Sequence, residues 1–258
     1  SSSPSPRLRS WFAIDGARAV QQTIRHALIV CHPEAKSFTF SVAERYATTV
    51  RSHGHEVVLR DLYQVGFDPV LKAGERHGQP AADVTREWGR LGKPDVYVLV
   101  YPIWFGTPPA MLKGYIDRVF GAGRTRGQDS EGGSGELLAG KRLVSLTSSG
   151  SLRAWLDEKG VLGSLRTVYD RYLAEVFGFV EAERFHFDGV TEEIPERDVR
   201  MHPFEVEKAA REVMSRFAAD PRWLVYLPPT MAPTATTTEP GLLEHPAEAF
   251  ASYRRDGV

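Results

Sequence analysis

The sequence predicts a doubly wound α/β fold, a five-stranded parallel sheet with helices on both faces. Two observations carry this. Short apolar runs alternate with segments whose apolar residues recur at helical spacing, five times in succession. The run DVYVLVY at 95–101 is apolar at every position after its first, as in a strand covered on both faces. Right-handed crossovers place helices on both faces only where the strand order reverses, and the order 2-1-3-4-5 does so.

Residues 1–24 are Ser/Pro-rich and then mixed, an extension expected outside a core domain of residues 25–220. HALIVC (26–31) is the first strand. After the loop HPEAK, a helix begins near Ser37, with Val42, Ala43, Tyr46, Ala47 and Val50 on its apolar face. His53-Gly54-His55 closes it, with glycine at the usual terminating position. Residues 56–60 form the second strand, 61–71 (DLYQVGFDPVL) a compact loop, and 72–94 a polar stretch with a short helix at 83–91.

The third strand ends at Pro102, which has no N–H to donate. Thr107 is expected to cap the next helix and Pro108 to occupy its first turn. Met111, Leu112, Tyr115, Ile116, Val119 and Phe120 make that helix's inner face. Residues 122–140 are rich in glycine and charge and read as a surface loop. KRLVSLT (141–147) is the fourth strand. Leu162, Leu165, Tyr169, Tyr172, Leu173 and Val176 mark a helix ended by Gly178, AERFHF (182–187) is the fifth strand, and 203–217 is the last helix. Its inward residues are Val206, Ala209, Ala210, Val213 and Phe217. The Pro/Thr-rich segment 221–258 keeps an apolar island at Trp223–Leu227, so it either packs on its own domain or crosses a dimer interface.

Composition excludes several functions. A net charge of −1 argues against nucleic acid as the main partner. No apolar run approaches the roughly 20 residues of a membrane helix, so no membrane insertion is expected. The first residues lack a signal-peptide pattern, and the single cysteine rules out an internal disulfide and a cysteine-rich metal site. A cytoplasmic location without a metal is expected.

Three strand ends converge at the carboxyl edge of such a sheet. After the first strand come His32, Lys36, Ser37, Phe38 and Thr39. Hydroxyls and backbone N–H groups at a helix N-terminus suit a phosphate, and His32 and Lys36 offer positive charge. After the third come Pro102, Ile103, Trp104 and Phe105, a flat aromatic surface with backbone amides. After the fourth come Thr147, Ser148, Ser149 and Gly150, small residues that let backbone approach a ligand. Phosphate, planar ring and polar ring edge are together the needs of a flavin nucleotide.

HPEAKSFTFSVAE, DLYQVGFDPVL, YPIWFGTPPAMLKGYIDRVF and LVSLTSSG resemble the flavodoxin-like NAD(P)H:quinone oxidoreductase family. That family spans DT-diaphorase, modulator-of-drug-activity-type quinone reductases and potassium-efflux ancillary flavoproteins. The resemblance covers about residues 25–220. It implies a flavodoxin-like homodimer with flavin sites at the subunit interface. His32, Ser37, Phe38 and Thr39 would then hold the flavin phosphate and ribityl chain. Pro102, Ile103, Trp104 and Phe105 would bracket the ring, and Thr147, Ser148, Ser149 and Gly150 would cover its other polar positions. FAD is the flavin implied, with FMN as the alternative, and NAD(P)H is the hydride donor.

The chain departs from this pattern in one respect that bears on chemistry. Trp155 and Val161 stand where mammalian quinone reductases carry a tyrosine and a histidine, so no catalytic acid or base carries over. Trp155 is expected instead to wall a substrate pocket. The activity implied is ping-pong, two-electron reduction of quinones or similar planar acceptors. A regulatory subunit of the potassium-efflux ancillary type and a one-electron flavodoxin-type carrier are the alternatives. The loop HPEAKSFT lacks the glycine of a carrier's phosphate loop. Arg124 and Arg126 are candidates for meeting a 2′-phosphate, although surface arginines usually meet water.

Overall fold

The computed structural model describes residues 19–121, 138–191, 196–218 and 224–226. Its larger unit is built on a five-stranded sheet of β2 (Arg25–Val30), β3 (Glu56–Asp61), β4 (Val96–Pro102), β5 (Arg142–Ser148) and β6 (Glu181–Phe187). Every neighbouring pair is parallel and the order is β3-β2-β4-β5-β6, the doubly wound order expected. All seven residues of β4 are buried, as a central strand covered on both faces requires. Alternation divides the core. Ala27, Ile29, Tyr97, Leu99 and Tyr101 pack with Leu112, Tyr115, Ile116 and Val119 on one face. Helix α1 (Phe38–Ser52) packs on β2, β3, β4 and β5.

The helices read from apolar periodicity are present. In α1, Val42, Ala43, Tyr46, Ala47 and Val50 are all buried, and Gly54 comes after it with a left-handed φ of 80°. Helix α2 spans Ala82–Leu91, close to the expected 83–91. Helix α3 is Ala110–Tyr115, continued by a wider π turn at Ile116–Phe120. It starts later than expected. Pro109, at φ −55° and ψ 146°, is its N-cap, and Thr107 instead bonds back to Trp104. The physical reason is the Pro108-Pro109 pair, because a residue before proline is driven out of the helical region. Neither Thr107 nor Pro108 can open a helix there.

Beyond β5 come α4 (Arg153–Glu158), α5 (Val161–Leu165), a π stretch Arg166–Tyr172 and α6 (Leu173–Phe177). Leu162, Leu165 and Leu173 are buried, but Tyr172, expected on the same face, is 57% exposed. A π turn takes an extra residue per turn and rotates the residues after it out of the 3.6-residue phase. Helix α7 (Glu196–Ala218) is longer than the expected 203–217, and its residues Val206, Ala209, Ala210, Val213 and Phe217 are buried.

In the smaller unit, β1 (Ala19–Gln21) pairs antiparallel with β7 (Leu224–Tyr226). Each of the segments 1–24 and 221–258 thus holds one of these strands. Residues 122–137, with Arg124 and Arg126, lie outside the described residues, as do Trp223 and Leu227. Among the described residues no helix is long and apolar enough to cross a membrane.

Candidate functional site

The adjacency of β2, β4 and β5 brings the loops at their carboxyl ends together, and backbone hydrogen bonds stitch the edge. Cys31 N donates to Val100 O (2.9 Å), Ile103 N to Ser148 O (2.7 Å) and Ser149 N to Phe187 O (3.1 Å). The result is an open cleft at the carboxyl ends of the strands. Its walls include His32, Ser37, Phe38 and Thr39 from the first loop. Pro102, Ile103 and Trp104 come from the second, and Ser148, Ser149 and Gly150 from the third. This is the crevice that open α/β sheets present where strand order reverses.

Ser37 is the most informative residue. It is the N-cap of the fifteen-residue α1, and its carbonyl accepts from Phe40 N (3.0 Å) and Ser41 N (3.2 Å). Its hydroxyl caps nothing: Oγ is buried and has no hydrogen-bond partner among the described residues. A buried, unbonded hydroxyl at a helix N-terminus costs free energy unless a ligand satisfies it. The first turn of α1 carries no acidic residue. These features fit a phosphate.

The positive charge expected beside it is not supplied by side chains within the cleft. Lys36 is exposed and is not among the cleft-lining residues. Burial lowers the pKa of His32, whose Nδ1 lies 3.0 Å from Glu34 N. The ring thus favours its neutral form, and with Nδ1 also 3.2 Å from Glu34 O either tautomer is accommodated. It sits 5.7 Å from the Trp104 ring, centroid to centroid. The helix terminus and hydroxyls are left to meet an anion.

The aromatic loop is a tight turn. Trp104 N donates to Thr107 O (3.0 Å) and Thr107 N to Trp104 O (3.1 Å). Between them Phe105 has φ 50° and Gly106 φ 80°. A left-handed phenylalanine is strained, and such strain clusters at functional sites. Trp104 is 37% exposed within the cleft, while Phe105 is wholly exposed and lines none of it. The amides of Ile103 and Trp104 are committed to Ser148 O and Thr107 O, and those of Phe105 and Gly106 make no hydrogen bond among the described residues. Behind Ile103 pack Leu156, Leu162 and Leu165.

Two other expected residues stand away from the cleft. Thr147 is buried, its Oγ1 bonded to Phe185 O (3.2 Å) and His186 Nδ1 (3.0 Å). Trp155 lies half-exposed on α4 and lines no part of the cleft. Val161, the other departure, lies at the start of α5, next to Gly106. Sequence reasoning missed Glu34 and Val190, both at the cleft, and His186 behind it. Val190 was reachable by the same logic, since the loop after the fifth strand must adjoin the loop after the fourth. Among the described residues no group of three or more His, Cys, Asp or Glu side chains could hold a metal.

The sheet order and the loop-walled cleft define a protein of the flavodoxin class. The family model for the flavodoxin-like fold matches residues 25–208. A second model, for the PNKP adenylyltransferase (ligase) domain, matches only residues 209–258, under half of the chain. An uncharacterized NAD(P)H oxidoreductase of Haemophilus influenzae is 33% identical over 150 residues, 55% of this chain and 72% of that protein. NAD(P)H dehydrogenase [quinone] 1 of Rattus norvegicus is 29% identical over 168 residues. That match spans 56% of this chain and 61% of the rat protein, less than two thirds of its length. FMN-dependent NADH:quinone oxidoreductase 2 of Clostridium acetobutylicum is 28% identical, covering 57% and 75%. Among solved structures, an NAD(P)H:quinone oxidoreductase from Methanothermobacter marburgensis superposes with a TM-score of 0.62 at 23% identity, over 74% of this chain and 98% of its own. The chain belongs to the flavodoxin-like fold family, and within it is similar to NAD(P)H oxidoreductases.

Proposed function

We propose that this protein is an NAD(P)H-dependent flavin oxidoreductase that reduces quinones or similar planar acceptors by two electrons. The observation that carries the reading is the buried, unbonded Ser37 hydroxyl at the head of α1, in a cleft shared with Trp104 and the Ser148–Gly150 loop. A bound flavin would supply the redox chemistry, two-electron hydride transfer between NAD(P)H and the acceptor; the chain's own residues bind and orient. Ser37 and the first turn of α1 hold the phosphate, and Pro102, Ile103 and Trp104 form the wall for the planar ring. Ser148, Ser149 and Gly150 meet its polar edge. The unbonded Phe105 and Gly106 amides are fixed dipoles suited to negative charge that develops nearby, so no titrating side chain is needed for that stabilisation. Lys36, Phe105 and Thr147, expected to bind the cofactor, and Trp155, expected to wall a substrate pocket, do not line this cleft.

The cleft residues serve the phosphate-to-ring half common to FMN and FAD, and FAD requires an adenine site beyond them. Chromatography of the released flavin against both standards reads which is bound. Phe105, wholly exposed, and half-exposed Trp155 and Leu152 are surface for a second copy of the chain to cover, and sedimentation reads whether a homodimer forms. A cytoplasmic setting accompanies this reading.

The decisive experiment is an absorption spectrum of the purified protein, followed by anaerobic addition of NADH and of NADPH. A yellow protein bleached by one of them is expected; a colourless protein that takes up no added flavin overturns the reading. Ser37→Ala separates binding from folding. Its buried hydroxyl bonds nothing among the described residues, so removing it should leave the stability of the flavin-free protein unchanged or raise it by up to about 1–3 kcal/mol. Loss of one hydrogen bond to a charged group should weaken flavin binding about 10- to 100-fold. Fluorescence titration and urea unfolding check the two halves. Unchanged flavin affinity would remove Ser37 from the site.

A further inference from the structure

Behind the third cleft loop lies a buried histidine that no flavin-binding motif includes. His186 on β6 is the register partner of Thr147 on β5. Thr147 and Ser149, two residues apart, present their hydroxyls to the same ring. His186 Nδ1 lies 3.0 Å from Thr147 Oγ1, and Nε2 lies 3.1 Å from Ser149 Oγ. Ser149 Oγ in turn donates to Ser151 O (2.8 Å). Its single proton is thereby spent, so it can only accept, from Nε2–H; in that tautomer Nδ1 takes the Thr147 proton (3.0 Å) in place of the longer bond from Thr147 Oγ1 to Phe185 O (3.2 Å).

The surroundings keep the ring in that neutral form. Burial, first, and then the Arg153 and Arg184 guanidiniums push its pKa down to about 4, against the opposing pull of Asp188 and Asp157. The main chain around it is also tied down. Arg153 Nη2 donates to His186 O (3.1 Å), and Arg153 N donates to Asp188 Oδ2 (2.6 Å). Val190 N donates to Ser149 O (2.9 Å). The ring is thus tied at both nitrogens, and the Ser149 hydroxyl, in a residue that lines the cleft, keeps one lone pair beyond its bonds to His186 and Ser151.

We propose that His186 is a positioning residue for the cofactor cleft, fixing the Ser149 hydroxyl as an oriented acceptor for a ring-edge N–H of the bound flavin. The inference rests on the functional reading above and adds the device that orients one wall of the site. Trp155 and Val161 leave this chain without the side-chain pair of its mammalian relatives, and His186 acts at a different strand end.

A double-mutant cycle on flavin affinity tests it, with FMN and FAD as the titrants and fluorescence quenching as the readout. His186→Leu is expected to weaken binding about tenfold, the effect of one oriented hydrogen bond. Ser149→Ala should weaken it similarly, and the double variant should be no weaker than Ser149→Ala alone, because His186 acts through Ser149. His186→Gln, whose amide N–H replaces the Nε2 donor, should bind within about threefold of the parent. It also provides the comparison should the leucine variant fold poorly by circular dichroism. Two results overturn the proposal. One is affinity unchanged in a folded His186→Leu; the other is an equal loss in the parent and Ser149→Ala backgrounds, which marks a merely structural histidine. If the parent itself binds neither flavin, the functional reading fails instead.

Discussion

Arg118→Met is expected to destabilise the protein by about 3–5 kcal/mol, the usual result of stranding one member of a buried ion pair. Arg118 lies in the π turn that continues α3, and its side chain and that of Glu75 are each only 1% exposed. Its Nε and Nη2 donate to Glu75 at 2.8–3.2 Å, and Nη1 and Nη2 each reach Asp83 at 2.8 Å. Nη1 also donates to the carbonyl of Asp68, and the guanidinium lies 5.3 Å from the Phe67 ring centroid. One side chain thereby ties α3 to the 61–71 loop, to the 3-10 turn Ala73–His77 and to α2. The contact is close along its length, since a Cβ on Gly114 of α3 would overlap Pro69.

Lysine cannot rescue the site, because an ammonium does not reproduce a planar five-donor fork. Arg118→Lys should therefore recover little. Arg118→Met combined with Glu75→Gln should be less damaged than Arg118→Met alone, since neither charge is then left buried and unpaired. Urea unfolding checks all three; a cost below about 1 kcal/mol for Arg118→Met would contradict the account.

This network shows why some of the architecture was legible in the sequence and some was not. The central strand was readable because a strand covered on both faces has to be apolar throughout, as Val96–Tyr101 is, whereas the edge strands Glu56–Asp61 and Glu181–Phe187 are only partly buried and carry charges. The cleft was readable because strand order alone brings His32, Ser37, Trp104 and Ser149 to one edge. Arg118 was opaque. In IDRVF it reads as a polar position on a helix, and its partners lie 35 to 50 residues away. His186 was hidden likewise, since only the β5–β6 register places it against Thr147 and Ser149. Tyr172 was misplaced because hydrophobic spacing presumes 3.6 residues per turn, and the π stretch breaks that period. The late start of α3 was written in Pro108-Pro109 and is a local rule outweighing a plausible cap. The lowered pKa of His32 comes from its burial, against the opposing pull of Glu34, and no residue pattern reports that burial.

The second large effect is expected in acid. His26 is fully buried on β2, with Nδ1 3.1 Å from Tyr46 Oη and Nε2 without a hydrogen-bond partner among the described residues. Burial, reinforced by His55, pushes its pKa down to about 3, and His186 is held at about 4. Both folded values lie below the unfolded value near 6.5. The unfolded chain therefore binds protons that the folded chain refuses, so stability is fully present above pH 6.5 and falls as the pH drops. Each histidine removes about 1.4 kcal/mol per pH unit once the pH is well below 6.5. The loss attributable to His186 levels off near pH 4 and that of His26 near pH 3. His32 and His55, whose values are also lowered by burial, act in the same direction. Urea unfolding at pH 7, 6, 5 and 4.5 should show a steepening decline. His26→Gln, which keeps a polar partner for Tyr46 while removing the titrating ring, should flatten that decline by one proton. Stability that stays constant from pH 7 to 5, or a His26 imidazole titrating near 6.5 by NMR, would show that the ring is not buried neutral as the fold requires.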